Sequence, residues 1–439
     1  MSVAFVANGV NMLFKDVTIL NEDLEVEEHR YVGIKGSKID YIGQAEPEQD
    51  YGRAVDGRGR LLMPGFFNAH GHSPMSLLRG YGENMLLQDW LNKKIFPFED
   101  KLNGRAVYWG TLLNMAEGLK FGIVSHSDMY FFVDDMVEAV VTAGCKANIS
   151  RAIAQFDDTD PWQTTRFKEV RRTFNSYNGI ENGRIKIDAG IHGEYTATPV
   201  AVRAISEFAV ENDLIMHIHI SESKQEHEEC KARHGKTPVR FFKDMGTLDT
   251  KVLAAHCVWL EDDDIRILKE SGASIAINTA SNMKLASGSA NVPRFLKEGI
   301  NVAIGTDSVA SNNSLNFFEE MKLFALLPKL TSGDPTVVTP KETIYAATRG
   351  GAIAQGRLNS GLLKEGYDAD LILLDISGPN MYPVHDMLTN LVYSMSGSDV
   401  KMTMADGVVL YENGEYRDID VEKTAYEVKT SVEYILGQL

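Results

Sequence analysis

The chain has 439 residues, of which 44% are hydrophobic and 24% charged, so it has the composition of a globular protein and the length for one large domain plus a small one. Its formal net charge of −17 would repel a polyanion over most of the surface, so we expect no nucleic-acid partner. No segment has the pattern of a signal peptide, and no apolar run approaches the roughly 20 residues that cross a bilayer. We therefore expect a cytoplasmic protein without membrane contact.

The three cysteines, Cys145, Cys230 and Cys257, are widely separated and form no C-x-x-C motif. This pattern is typical of reduced thiols, and it argues against a disulfide framework or a zinc site with sulfur ligands. Reduced thiols agree with the expected cytoplasmic location.

Both ends of the chain carry short stretches in which apolar and polar residues alternate around glycines. They cover residues 12–20 and 31–43 at the start, and residues 369–375 and 401–411 near the end. Such alternation predicts antiparallel strands with one solvated face. Because neither set would bury much core alone, we expect segments 1–60 and 366–439 to pair into one small β-sandwich domain. Residues 421–436 have the apolar spacing of a helix.

Residues 61–365 alternate apolar strands with helix-rich segments, which is typical of parallel βα units. Eight such units predict an α/β catalytic domain, a (β/α)8 TIM barrel, whose active site lies at the C-terminal ends of the strands. The predicted strands are residues 61–67, 123–128, 145–152, 185–191, 214–220, 251–255, 274–278 and 301–304.

Seven of the 11 histidines fall at or near the ends of these predicted strands. They are His70, His72, His126, His192, His217, His219 and His256. Asp307 follows the eighth strand. Histidines scattered over a surface would not gather in this way, so we expect a functional site at this end of the barrel.

His70 and His72 follow an apolar strand at spacing i, i+2, so their side chains point the same way. With His219 in the fifth strand and Asp307 after the eighth, they make a candidate metal site of three imidazoles and one carboxylate. This set suits one Zn²⁺ per subunit, although Fe²⁺ or Mn²⁺ use the same ligand types. A bound Zn²⁺ lowers the pKa of its water to about 7, which favours hydrolysis. No lysine follows the fourth strand, which argues against a second metal bridged by a carboxylated lysine.

Two further side chains could act on the reacting groups. Glu222, three residues after His219, could be a general acid and base, or it could be a solvated loop carboxylate. His256 could orient the attacking hydroxide or stabilise an oxyanion, or it could be a hydrogen-bonded core histidine. We expect His217 to pack or support a ligand from deeper in the barrel, and His126 to be structural.

The chain resembles the amidohydrolase superfamily, and in particular the 5-methylthioadenosine/S-adenosylhomocysteine deaminases, which are relatives of the triazine hydrolases. The resemblance covers nearly the whole chain and implies a TIM barrel with a β-sandwich from both termini. It rests on PGFFNAHGH at 64–72, LRG at 78–80, WL at 90–91, FPFED at 96–100, HISE at 219–222, AHC at 255–257, SNMKLASG at 281–288, GTD at 305–307 and SNN at 311–313.

The resemblance implies a role for each matching residue. The residues of the reaction centre would be the metal ligands His70, His72, His219 and Asp307, the proton shuttle Glu222, and His256, which holds the attacking hydroxide. Glu99 would accept hydrogen bonds from both ribose hydroxyls, Trp90 would line the pocket, and His192 would hydrogen-bond the purine. Arg151 and Arg166 match arginines that hold the amino-acid carboxylate of S-adenosylhomocysteine.

The chain departs from the family pattern at two positions. Gly193-Glu194 stands where small or proline residues are frequent, and Thr279 stands where a proline is common. We expect the first departure to border the substrate and to bear on its 5′ group.

These features predict hydrolytic deamination of adenosine-type nucleosides, namely S-adenosylhomocysteine, 5′-methylthioadenosine or adenosine, to the inosine analogue and ammonia. Water would attack C6 with help from Asp307, while Glu222 would protonate N1 and then the leaving amine. One alternative is a hydrolase of another amino- or chloro-substituted heterocycle of triazine, guanine or cytosine type, which would not need Glu99. Another is a binding protein that has kept the fold without the activity. The resemblance also allows a homo-oligomer.

Overall fold

The computed structural model describes residues 10–439, so positions 1–9 of the predicted segment 1–60 lie outside the described residues. The described chain forms two sheets, a mixed sheet built from both ends and an eight-stranded parallel sheet built from the middle. This architecture confirms the predicted barrel and the β domain assembled from both termini.

The chain passes from the mixed sheet to the parallel sheet once, before the barrel, and returns once after it. The first five belong to the mixed sheet: β1 (Met12–Leu20), β2 (Val26–Lys35), β3 (Lys38–Gly43), β4 (Arg53–Asp56) and β5 (Arg60–Pro64). The next eight form the barrel: β6 (Phe66–Gly71), β7 (Ile123–Tyr130), β8 (Lys146–Arg151), β9 (Ile185–Ile191), β10 (Met216–Ile220), β11 (Val252–His256), β12 (Ser274–Ile277) and β13 (Asn301–Ile304). The last four return to the mixed sheet: β14 (Leu371–Asp375), β15 (Val400–Ala405), β16 (Val408–Glu412) and β17 (Glu415–Tyr416).

The barrel strands run parallel in chain order from β6 to β13. Hydrogen bonds between β6 and the residues that follow β13 close the circle. The Asp307 N–H donates to the His70 carbonyl at 3.0 Å, and the Thr306 N–H donates to Asn68 Oδ1 at 3.0 Å. Gly305 permits this approach, because a Cβ there would lie 3.0 Å from the backbone nitrogen of His70. Closure brings the first and last strands, which carry predicted metal ligands, side by side.

The predicted first barrel strand, residues 61–67, is wrong in its bounds. Its first half belongs to β5, which pairs with β1 and β14 of the mixed sheet, and the barrel strand begins at Phe66. The chain changes sheets at Gly65, where a Cβ would lie 2.4 Å from Val124. An apolar run cannot signal this crossing, because both sheets bury the same kinds of side chain. As a result His70 lies inside β6, not after it.

Helices connect the barrel strands and cover the outside of the barrel. The α-helices of six or more residues span Gly104–Lys120, Val133–Ala143, Thr165–Tyr177, Pro199–Glu211, Lys224–His234, Pro238–Asp244, Asp262–Glu270, Thr279–Lys284, Val292–Lys297, Phe317–Ser332, Pro340–Tyr345, Met387–Tyr393 and Val421–Leu436. Several begin at a polar cap, as where Asn103 accepts the Ala106 N–H at 3.0 Å. The final helix has the predicted bounds.

The mixed sheet folds back on itself and encloses a core of its own. The Ile39 N–H in β3 donates to the Tyr367 carbonyl at 3.0 Å, and the Gly366 N–H donates to the Ile39 carbonyl at 2.8 Å. The enclosed apolar cluster contains Met12, Phe14, Val17, Ile19, Val32, Ile34, Leu62, Leu371, Leu373, Met402 and Met404. The predicted domain limits at 60/61 and 365/366 stay a prediction.

A buried ion cluster joins the barrel to the mixed sheet. Lys146, at the start of β8, has a side chain that is 3% exposed, and its Nζ lies 2.7 Å from a carboxylate oxygen of Asp370 and of Asp406. Buried charges are stable only when they are paired, so the amine and the carboxylates require one another. This contact lies at the N-terminal end of the barrel, opposite the predicted site.

Within residues 10–439 no helix has the length and apolar character needed to cross a membrane. The three cysteines are buried and unpaired, which confirms the prediction of free thiols. The cytoplasmic location stays a prediction.

Candidate metal centre and substrate cavity

The C-terminal ends of the barrel strands surround a cavity of about 460 Å³. All the site residues predicted from the sequence line it except His70, which lies fully buried beneath the floor. Those in the wall are His72, Trp90, Glu99, Arg151, Arg166, His192, His219, Glu222, His256 and Asp307. The fold therefore collects residues from distant parts of the sequence around one space.

Four of these side chains converge at one point of the floor. Asp307 Oδ1 lies 3.7 Å from His70 Nε2 and 3.4 Å from His72 Nε2, and the Nε2 atoms of His72 and His219 are 3.3 Å apart. Among the described residues, none hydrogen-bonds the buried His70 Nε2. A buried polar atom without a partner is unfavourable, and a cation at the centre would satisfy it. The donor set fits a divalent metal ion.

The second ring nitrogen fixes each of the three imidazoles. His70 Nδ1 lies 2.8 Å from His217 Nε2, His72 Nδ1 donates to a carbonyl of β7 at 2.6 Å, and His219 Nδ1 donates to the His192 carbonyl. Because a carbonyl can only accept, Nδ1 of His72 and of His219 carries the proton, and the Nε2 of each is free to bind a metal. Burial, followed by the neighbouring imidazoles, holds the pKa values of His70 and His219 well below the ordinary value, so both rings are neutral.

Asp307 is held as a carboxylate just past β13. Its Oδ2 accepts a hydrogen bond from Ser281 Oγ at 2.6 Å, and its Oδ1 accepts from the Ser308 N–H at 2.7 Å. Burial alone would raise its pKa, but His256, His72 and these hydrogen bonds outweigh burial and lower the pKa. The backbone φ of Asp307 is +57°, a strained value for this residue that is typical of functional sites.

Glu222 and His256 face one another at the edge of the metal cluster. His256 Nε2 lies 3.9 Å from Glu222 Oε2, and its Nδ1 donates to Asn282 Oδ1 at 2.9 Å. Burial raises the pKa of Glu222, so its carboxyl group holds a proton at higher pH than an exposed glutamate. The pair is arranged for proton transfer beside the metal position.

Glu226 was not predicted as a site residue, although its carboxylate holds the turn that carries Glu222. Its two carboxylate oxygens accept the Ser221 N–H at 2.9 Å and the Glu222 N–H at 2.7 Å. Burial, followed by the charge of Glu222, raises its pKa to about 7. The Ser-x-x-Glu spacing from Ser223 is a signal for a helix N-terminus, and Ser223 does cap Glu226. Only the structure shows that Glu226 reaches back beyond the cap to the turn at Ser221 and Glu222.

Glu99 ends the short helix Phe96–Glu99 and offers a carboxylate to the cavity. Its Oε1 accepts a hydrogen bond from the Tyr130 hydroxyl at 2.6 Å. Burial in the wall raises the pKa of Glu99 to about 7. Trp90 forms part of the same wall, and its Nε1 donates to the Tyr81 carbonyl at 3.3 Å. The wall therefore combines an acceptor with an aromatic surface.

His192 lies just past β9 and is neutral, because burial lowers its pKa to about 4. Its Nδ1 lies 3.3 Å from Thr196 Oγ1. Neither Gly193 nor Glu194 lines the cavity, although we expected this pair to border the substrate. The carboxylate of Glu194 is buried away from the cavity, where Arg233 and His234 hold it at 2.8 Å and 2.9 Å. It makes those ion pairs because burial requires its charge to be neutralised.

The two predicted arginines both line the cavity, but they differ in burial and in ion pairing. Arg166 is exposed on the helix Thr165–Tyr177. Arg151, at the end of β8, has a side chain only 11% exposed, and its Nε donates to Glu169 Oε2 at 2.7 Å. The guanidinium of Arg151 is therefore already paired.

The remaining two histidines of the constellation, His126 and His217, do not line the cavity. His126 in β7 packs against Gly118 of the helix Gly104–Lys120, and burial lowers its pKa to about 3. His217 contacts His70 from beneath, and its Nδ1 lies 3.5 Å from Ser150 Oγ. These positions agree with a structural role for His126 and a supporting role for His217.

His217→Phe is expected to weaken metal binding although it removes no ligand. Phenylalanine keeps a buried ring but cannot hydrogen-bond His70 Nδ1, and loss of such a support typically costs about 10–100-fold in metal affinity. Competition with a chelating dye measures the Zn²⁺ affinity. The matched control is His126→Phe, which removes a buried histidine outside the cluster. Equal affinities for the two variants would contradict the supporting role.

Known proteins resemble this chain over nearly its whole length. The family model described as "Amidohydrolase family" matches residues 61–410. A 5-methylthioadenosine/S-adenosylhomocysteine deaminase of Thermoanaerobacter pseudethanolicus is 39% identical over 423 residues, which cover 96% of this chain and 98% of that protein. A 5′-deoxyadenosine deaminase of Methanosarcina mazei is 36% identical over 431 residues, covering 98% and 99%. The crystal structure of an adenosine deaminase from Xanthomonas campestris with bound zinc has a TM-score of 0.91 at 28% identity, covering 98% and 99%.

Proposed function

The chain belongs to the amidohydrolase family, and from this premise we propose that it is an enzyme that deaminates adenosine-type nucleosides by metal-dependent hydrolysis. The substrates would be 5′-methylthioadenosine, S-adenosylhomocysteine or adenosine, and the products the inosine analogue and ammonia. One observation carries the proposal. A single cavity holds the metal cluster and Glu222 on its floor and the carboxylate of Glu99 on its wall. The deaminases named above are similar over nearly the whole chain, which supports it.

We propose zinc as the metal. The nitrogen and oxygen donors suit it, and the similar adenosine deaminase structure contains zinc. His70, His72, His219 and Asp307 would hold the ion. A bound zinc ion supplies Lewis acidity, which allows water to attack near neutral pH.

The chain's own residues then move the protons. Asp307, which is ionised, helps to take a proton from the attacking water, and the Nε2 of His256 orients that water. Glu222, whose raised pKa keeps a proton available, protonates ring nitrogen N1 while the C6–O bond forms. Glu222, now a carboxylate, takes the proton of the new C6 hydroxyl and passes it to the amino group, so that the C6–N bond breaks and ammonia leaves. The proton held by Asp307 then returns to Glu222, which restores both side chains.

The wall would position the nucleoside. Glu99 would accept hydrogen bonds from both ribose hydroxyls, and the neutral His192 would hydrogen-bond the purine ring. Trp90 would pack against the substrate, and Arg151 and Arg166 would face the 5′ substituent. The homo-oligomer stays a prediction.

Binding of the nucleoside is expected to weaken as the pH falls through about 7. Burial raises the pKa of Glu99 to about 7, and only the ionised carboxylate is purely an acceptor that can take a hydrogen bond from each of the two ribose hydroxyls. Between about pH 8 and about pH 6 the ionised fraction falls about tenfold, so the KM for 5′-methylthioadenosine should rise about tenfold. In Glu99→Gln, which is neutral throughout, the KM should be high and should lack this rise. The same pH dependence of KM in both proteins would remove Glu99 from ribose binding.

A substrate panel tests the proposed function. Ammonia release is measured from the zinc-loaded protein with 5′-methylthioadenosine, S-adenosylhomocysteine, adenosine and guanine in parallel, and chloride release with a chlorotriazine. We expect turnover of the adenosines. No ammonia release from any of the adenosines, together with turnover of guanine or the triazine, would contradict the proposal and would indicate a hydrolase of another heterocycle.

A further inference from the structure

We propose, on the basis of the function proposed above, that Glu169 sets the preference among 5′ groups by occupying Arg151. The cavity would then take adenosines with an uncharged 5′ group, such as 5′-methylthioadenosine, in preference to S-adenosylhomocysteine, whose 5′ group ends in a zwitterionic amino acid.

The guanidinium of Arg151 is held by three neighbours. Its Nε donates to Glu169 Oε2 at 2.7 Å, and its Nη1 donates to the Ala152 carbonyl. Its central carbon lies 4.8 Å from the centre of the Phe131 ring. The side chains of Arg151 and Glu169 are 11% and 20% exposed. These hydrogen bonds use two of the five N–H donors of the guanidinium, and the carboxylate of Glu169 balances its charge.

The position of Arg151 places it beside the 5′ end of a bound nucleoside. In the β7–β8 register it pairs with Tyr130, whose hydroxyl contacts Glu99, the proposed acceptor of the ribose hydroxyls. Phe132 and Phe156 also line the cavity. The space next to the ribose is thus bounded by aromatic rings and a neutralised arginine.

A carboxylate that enters this space would lose more binding free energy from dehydration than it would gain from an ion pair with Arg151. It would lose its hydration, and it would have to share or displace the carboxylate of Glu169 to reach Arg151. Arg166 is exposed, so an ion pair with it would contribute little. A methylthio or methyl group needs no such partner and gains from burial against the rings.

Glu169 itself lies behind Arg151 and is not part of the cavity wall. It therefore acts through Arg151 and is a positioning residue, which makes the inference testable. Removing its charge should release the guanidinium to bind a carboxylate without placing a new group in the cavity.

The experiment measures kcat/KM for S-adenosylhomocysteine and for 5′-methylthioadenosine with each variant. The ratio of the two values cancels general losses of activity. For Glu169→Gln we expect the ratio to rise about tenfold, the size of one hydrogen bond between charged groups. The conservative Glu169→Asp, which keeps the charge, should restore a ratio close to that of the parent.

The matched control is Asp134→Asn. Asp134 pairs with Arg172 of the same helix as Glu169, Thr165–Tyr177, at 2.7 Å from Nη1, but it lies outside the cavity wall. We expect this variant to keep the parent ratio. A ratio for Glu169→Gln that equals or falls below that of Asp134→Asn would overturn the inference.

Arg151→Gln provides a second test that does not depend on the folding of the Glu169 variant. If Glu169 already occupies Arg151, removing the arginine should change the ratio by less than about threefold. A fall of about tenfold or more would show that Arg151 binds the carboxylate in the parent protein and would overturn the inference. If the variants release ammonia from 5′-methylthioadenosine but the ratio of kcat/KM values does not change in Glu169→Gln, the inference fails and the proposed function stands. If neither the parent protein nor any variant releases ammonia, the inference and the proposed function both fail.

Discussion

Glu222→Gln is expected to lower kcat for 5′-methylthioadenosine by about a thousandfold and to leave the metal content unchanged. Glutamine keeps the size of the side chain but can neither donate the proton to N1 nor receive one for the amine. The carboxyl group lies 3.9 Å from His256 Nε2 and outside the four proposed ligands, so the metal cluster keeps all its donors. Steady-state kinetics and elemental analysis of the same preparation measure both quantities.

The matched control for Glu222 is Glu228→Gln. Glu228 lies on the adjacent helix Lys224–His234 with a side chain that is 57% exposed, so this substitution removes the same charge at a solvated position. We expect turnover close to that of the parent. Undiminished turnover in Glu222→Gln would exclude Glu222 from the mechanism.

Removal of the metal is expected to lower the rate of deamination by about a thousandfold or more, and added Zn²⁺ should restore it. The physical reason is the construction of the cluster. His70 Nε2 is buried without a partner among the described residues, and Asp307 Oδ1 lies within 3.7 Å of it. Zinc should also raise the Tm, because an ion that binds only the folded chain stabilises it. Activity and thermal unfolding are measured on the chelated and the reloaded protein.

A ligand substitution separates loss of the metal from damage by the chelator. His70→Ala should stay inactive after zinc is added, whereas His385→Ala, which removes an exposed histidine, should behave like the parent. Full activity in thoroughly chelated protein would contradict the metal-dependent mechanism.

The sequence predicts most of the barrel because a buried parallel strand is a short apolar run, and the barrel strands from β7 to β13 lie within a few residues of such runs. The prediction of the first strand fails for a physical reason. Residues 61–67 form one apolar run, but Gly65 divides it between two sheets that bury similar side chains. Which sheet a strand joins depends on partners far away in sequence, such as β14, and no local pattern reports them.

The candidate site is predictable in its centre and not in its support. His70, His72, His219 and Asp307 stand at strand ends, and parallel strands end on one face, so their convergence follows from topology. The contacts of Glu226 with a backbone turn and of Glu169 with Arg151 come from helices outside the barrel. Helix faces carry many charged side chains, and their partners depend on packing, which the sequence alone does not specify.

The most direct test of hydrolytic deamination follows one reaction in ¹⁸O-labelled water. The zinc-loaded protein is incubated with 5′-methylthioadenosine, and ammonia and the nucleoside product are both quantified. We expect one ammonia for each 5′-methylthioinosine, with ¹⁸O at C6 and the glycosidic bond intact. Release of free adenine, or conversion without ammonia, would contradict the account.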